Sequence, residues 1–397
     1  MLLIKGGPML DTRAGQVIDR GYILVEGERI QEMGEGDPVT RGDPEVLDLR
    51  GRFLMPGLVN AHVHLVWDGS ADPDARIRGL SPTRVAMVAA AQARRHLVAG
   101  ITTVRDVGSL MDTVLSLRWA VNEGLWPGPN IITSGAPLTM TGGHMHPVVA
   151  WEVDGEQDIL KAVRSLIKAG VDLIKVMATG GVYTPGEEPG SAQMTAGEMS
   201  VAVREAHRKG IPVAAHAEGL QGIKEALEAG VDAIEHGNYA GEEALKTMRE
   251  RGVFLVPTAS WFLRASREDA VELGIPGYVR EKVQEVVDAQ RQSLPEAIRK
   301  GVRIAVGTDA GAPLHPPENY HMEVTALREM GMDPMESLRA ATLVGAEACG
   351  RDDIGRLEPG CLADVLAIDG NPLERPGDLL RVHTVMKSGR LVGGDSW

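Results

Sequence analysis

The chain has 397 residues, 43% hydrophobic and 24% charged, which is the balance of a soluble globular protein and excludes long disorder, collagen and coiled coil. Its net charge of −14 argues against nucleic acid and anionic membrane as partners. Two cysteines, Cys349 and Cys361, exclude a disulfide framework and a Cys-x-x-Cys metal site.

No stretch approaches the roughly 20 apolar residues of a membrane span. The apolar start Met1–Ile4 is broken at once by Lys5-Gly6-Gly7-Pro8, far short of a signal peptide, so the cytoplasm is the expected compartment. Residues 1–55 read as short strands separated by Gly, Asp and Pro clusters, among them Leu2–Ile4, Gly21–Glu26 and Glu45–Leu49. Residues 353–397 look alike, with Ala363–Ile368 and Val382–Lys387 as strands. The two ends are expected to pair into one small β-domain.

From 56 to 352 the pattern changes. Eight apolar runs read as strands: Gly57–His64, Ile101–Asp106, Asn130–Ser134, Val171–Met177, Pro212–His216, Ala233–His236, Val253–Thr258 and Ile304–Asp309. Helical segments such as Pro82–Ala99, Asp158–Ala169 and Ala196–Lys209 lie between them, several ending at a glycine. Repeated helix, glycine, strand units predict a parallel α/β architecture. Eight of them predict a (β/α)8 barrel, whose site lies at the C-terminal strand ends. An open doubly wound sheet is the competing architecture.

Those ends carry the chemistry. His62 and His64, two apart on strand 1, share one face and suit a divalent metal, although two unrelated histidines give the same pattern. Lys175 sits in the apolar run of strand 4. It is either paired with an acid or a lowered-pKa amine able to form a carbamate. His216 and His236 end strands 5 and 6, and Asp309 ends strand 8 between glycines. Singly, each has a structural explanation. Together, four imidazoles, a carbamate and a carboxylate suit two divalent ions, most naturally zinc.

The chain resembles the amidohydrolase superfamily over nearly its whole length. The resemblance is carried by Met55-Pro56-Gly57-Leu58-Val59-Asn60-Ala61-His62-Val63-His64, Lys175, His216, His236, Gly307-Thr308-Asp309 and the run Gly355–Ile368. It implies a composite β-sandwich from both chain ends flanking the barrel. It also implies His62 and His64 on a buried metal, carboxylated Lys175 as bridge, and His216 and His236 on an exposed metal. Asp309 would bind metal and shuttle protons. Within the superfamily, Thr141-Gly142-Gly143-His144-Met145-His146, Gly180–Gly186, Gln193-Met194-Thr195, Ala215–Gly219 and Ile234–Tyr239 resemble the dipeptidase and prolidase-like branch near imidazolonepropionase.

That resemblance implies a metal-dependent hydrolase that cleaves an amide-type C–N bond of a dipeptide or N-acyl amino acid with a metal-activated hydroxide. His144 and Tyr239 would contact the substrate, with His146 a rival to His144. The alternatives are a cyclic amide, carbamate, urea, toxin amide or ester on the same binuclear site, and, remotely, a non-catalytic scaffold. The partner is a small-molecule substrate, and a homo-oligomer is compatible with this reading. Glu187 and Glu188, in the loop after strand 4, either attract a basic substrate group or, as such pairs more often do, form a solvated loop face. Trp67 and Trp261 are either pocket walls or core.

Overall fold

The computed structural model describes residues 1–39 and 42–393. Leu58–Val63, Ile101–Asp106 and Asn130–Thr133 pair in parallel in chain order. Ile174–Met177, Val213–Ala217, Ala233–His236, Phe254–Val256 and Arg303–Ile304 continue likewise. Asp172 N donates to Thr133 O at 2.8 Å across the third and fourth of these strands. Ala61 N to Val306 O and Asp309 N to His62 O, each 2.9 Å, join the last to the first. The sheet is therefore a closed parallel barrel, and these strands are numbered 1 to 8 in chain order below.

The outer helices form because their apolar residues fall on one stripe. Gly155–Ala169 buries Ile159, Ala162, Val163 and Leu166, a spacing of three and four residues that faces the sheet. It stops at Gly170, whose φ of +89° a side chain would resist. Ala196–His207 starts with a capping box, Thr195 and Glu198 each bonding the other's backbone.

Strand 8 departs from expectation. Only Arg303–Ile304 is regular strand, and 305–309 runs irregularly along strand 1. A Cβ at Gly307 would lie 2.7 Å from His62 Cβ and 2.9 Å from His62 N, so glycine allows this close approach. Asp309 then takes φ +59°, which ends the strand.

Both chain ends build a second unit of two sheets. Leu2–Gly6, Gly21–Glu26, Arg29–Glu35 and Glu45–Leu49 form one sheet. In the other, Phe53–Pro56 pairs antiparallel with Val365–Ile368, and Val382–Lys387 lies beyond. Ile4, Ile23, Leu54, Val365 and Met386 meet in the core between the sheets, as expected for a composite sandwich. Among the described residues, no helix is long and apolar enough to cross a membrane.

Candidate active site

His62 and His64 leave strand 1 on one face, as the two-residue period requires. His62 Nδ1 donates to Glu235 Oε2 at 2.7 Å, and His64 Nδ1 donates to the Gly108 carbonyl at 2.7 Å. Each ring therefore turns its Nε2 inward. Asp309 Oδ1 lies 3.6 Å from His62 Nε2 and 3.3 Å from His64 Nε2, with no hydrogen bond made to it. The three atoms lie within 4.8 Å of one another. Electron-pair donors packed this closely repel unless a cation or a shared proton sits between them. The donor set of imidazole nitrogen and carboxylate oxygen fits a divalent metal ion.

Protonation agrees. Burial pushes His62 down to about 4, against the pull of Glu235, and lowers His216 and His236 well below the usual imidazole range. These rings are neutral, as ligands must be. His64 goes the other way: burial lowers it, and the Asp309 carboxylate beside Nε2 outweighs burial. That pair draws positive charge.

His216 Nε2 donates to the Gly180 carbonyl at 3.0 Å, leaving Nδ1 as its lone pair. His236 Nδ1 lies 2.7 Å from Thr258 Oγ1. The His216 ring centroid is 4.7 Å from that of His236, and His236 is 5.0 Å from His62. His236, Thr258 and Asp309 all have positive φ, at 69°, 48° and 59°. A non-glycine residue there costs on the order of 1–2 kcal/mol, so the surrounding hydrogen bonds must impose it. Lys175, 1% exposed, opens onto the same cavity, and burial pushes its amine down to about 8.

The structure thus brings together His62, His64, Lys175, His216, His236 and Asp309 around one cavity. Trp67, Met145, Val182, Trp261 and Phe262 wall it, so both tryptophans are pocket walls. His144 lines it too, its ring stacked on His216 at 4.2 Å. His146 does not line it: its Nδ1 donates to Gly143 O at 2.8 Å within its own turn. Nor does Tyr239, which packs half-buried beside the cluster containing Trp261 and Phe262.

Two residues near the site carried no reliable signal in the sequence. Glu187 is 8% exposed, not part of a solvated face: Oε2 accepts from His144 Nδ1 at 2.9 Å and Oε1 accepts from Gln193 Nε2 at 2.9 Å. Glu218 is buried and lines the cavity, and burial pushes its carboxyl up to about 8. Its place two residues after His216, on the same strand face, was the one available cue.

The amidohydrolase family profile matches residues 53–392. Ochratoxinase from Aspergillus niger is 35% identical over 357 residues, covering 81% of this chain and 71% of its own. Imidazolonepropionase from Geobacillus kaustophilus is 25% identical over 428 residues, covering 96% and 91%. A solved Xaa-Pro dipeptidase with methionine in its active site superposes with a TM-score of 0.91, at 33% identity over 98% of this chain and 99% of its own. With the profile spanning barrel and sandwich alike, the chain belongs to the amidohydrolase family, as a metal-dependent hydrolase of amide-type C–N bonds.

Proposed function

We propose that the substrate is a dipeptide or N-acyl amino acid and that the site holds two divalent ions, zinc by donor chemistry. One observation carries the reading: His62 Nε2, His64 Nε2 and Asp309 Oδ1 converge with both histidine Nδ1 atoms already bonded outward. His62, His64 and Asp309 would hold one ion, and His216 and His236 the other. Lys175 fits as the bridge. Its neutral amine adds to carbon dioxide, forming an N–C bond and releasing one proton, and the carbamate offers two oxygens. At a pKa of about 8, about a tenth of the amine is neutral at pH 7, against under about one in a thousand for a free lysine. The similarity to a Xaa-Pro dipeptidase favours the dipeptide over the other amides. The barrel of 56–352 would carry the chemistry, flanked by 1–55 and 353–397.

When bound, such ions supply an acidified water and a Lewis acid for the carbonyl. Asp309 takes the water's proton on its carboxylate and passes it to the departing nitrogen. His144, oriented by Glu187, turns Nε2 toward the cavity and donates to the substrate's carboxylate or to the developing oxyanion. The apolar walls exclude bulk water from the carbonyl.

The test is metal analysis together with a panel of dipeptides, N-acyl amino acids and aryl carbamates. Two ions per chain, activity lost to a chelator and restored by zinc, and turnover of the dipeptides are expected. Fewer than two ions in active enzyme, or turnover of carbamates alone, would overturn the proposal.

A further inference from the structure

Asp74 opens the short helix Pro73–Arg78 in the loop after strand 1 and lines the cavity. Its Oδ1 accepts from Trp67 Nε1 at 3.0 Å, the one side-chain hydrogen bond Asp74 makes among the described residues. The cavity lining is largely apolar, with Trp67, Pro73, Val182 and Phe262 in it, and the Tyr183 hydroxyl lies close enough to feel the Asp74 charge. A carboxylate beside such a wall loses hydration and needs a positive partner. Among the described residues no arginine lines the cavity, and Lys175 lies on its floor with the histidines. The nearest cations of the chain, Arg78 one turn further along the helix and His64, act on Asp74 through space, and neither donates a hydrogen bond to its carboxylate.

A ligand can supply that bond. An ammonium group would meet Asp74 Oδ2 and, beside it, the Trp67 ring, which favours cations over its face. Besides the proposed metal ligands, the cavity lining offers an acid at Asp74, a carboxyl at Glu218 that burial raises to about 8, and a donor at His144. A zwitterion with one ammonium and one carboxylate matches Asp74 and His144. An N-acylated amino acid or a toxin amide lacks the ammonium and leaves Asp74 unpaired.

We infer that Asp74 is a specificity-determining residue that receives the free α-ammonium of the substrate, so that the enzyme selects dipeptides with an open N-terminus over their N-acylated forms. This rests on the amide-hydrolase reading above and narrows its substrate class. A mere structural role, holding Trp67 in place, would serve every substrate equally.

The experiment compares kcat/KM for one dipeptide and its N-acetyl derivative, in zinc-loaded wild type and in Asp74→Asn. Asparagine keeps an oxygen for the indole and removes the charge. The wild type is expected to prefer the free dipeptide by about tenfold or more, the scale of one desolvated ion pair. In Asp74→Asn that preference should fall toward unity through a raised KM for the free dipeptide, with kcat moving less. Equal hydrolysis of both substrates by the wild type overturns the inference alone, as does equal loss of both in the variant. Hydrolysis of neither substrate overturns the underlying dipeptidase reading as well.

Discussion

Glu235 holds His62 in place: its Oε2 accepts the Nδ1 hydrogen of His62 at 2.7 Å while its Oε1 accepts from Arg105 Nη2 at 2.6 Å. All three side chains are buried. Arg105 in turn donates Nε to the Ala61 carbonyl at 2.6 Å, so strands 1, 2 and 6 are tied together behind the histidine cluster. Because Nδ1 is engaged, the Nε2 lone pair faces the cluster. Outer partners of this kind are worth about 10–100-fold in metal affinity. Glu235→Gln keeps the shape and an acceptor for His62 but removes the charge. Metal affinity measured by chelator competition should fall by about tenfold or more, with the far-ultraviolet spectrum retained. Unchanged affinity in a folded variant would show that His62 needs no such support.

Lys175 gives a second prediction. Lys175→Met preserves an unbranched chain of similar length and loses the amine. Bound metal should drop to at most about one ion per chain, and kcat/KM should fall on the order of 100-fold or more. Reconstituting wild-type apoenzyme with zinc in carbon dioxide-depleted buffer should be slow and should accelerate on adding bicarbonate. Reconstitution indifferent to bicarbonate would argue for a lysine that acts as a plain amine.

His144 and Glu187 form a third relationship, and it has a graded signature. His144→Ala should lower kcat/KM by about 10²–10³, the usual cost of one lost donor to the reacting carbonyl. Glu187→Gln should cost about tenfold, since glutamine can still orient the ring but accepts the Nδ1 hydrogen without the strength of a charged acceptor. His146→Ala should cost less than either, because His146 points into its own turn. If His146→Ala proved the more damaging histidine change, the assignment to His144 would fall.

The candidate site was legible because His62, His64, His216, His236 and Asp309 end apolar runs, and barrel topology sends those ends to one rim. His62, His216 and His236 needed no long-range information beyond the count of strands. Glu187 was different. In sequence it is one of two adjacent acids in a Gly- and Pro-rich loop, which describes countless solvated turns. Its burial depends on Gln193, Gly181 and His144 closing around it, and nothing local announces that. Tyr239 failed to reach the cavity for a similar reason. Its distance from His236 is fixed by sequence, but the direction of its ring is set by packing beside Trp261 and Phe262. The regular part of strand 8 came out shorter than its apolar pattern because Gly307 and the left-handed Asp309 bend the chain toward strand 1.

The last prediction concerns stability and lies away from the cavity. His96, on helix Pro82–Val98, is 1% exposed. Its Nδ1 donates to the Gln92 carbonyl at 2.9 Å, and its Nε2 is buried without a hydrogen-bond partner. Burial pushes its pKa down to about 4, from about 6.5 in the unfolded chain. Between those values the unfolded state binds the extra proton and the folded state does not, so stability rises with pH there. The contribution is complete above about pH 6.5 and is lost as pH falls to 4, to a total of about 3 kcal/mol. His96→Leu cannot take up that proton in either state. Urea unfolding at pH 7 and at pH 4.5 should therefore show the wild type losing about 2–3 kcal/mol more than His96→Leu over the same interval. The histidines of the site titrate in both proteins and cancel in the difference. Equal losses would mean that His96 finds a proton acceptor or water when folded, and that burial does not hold it neutral.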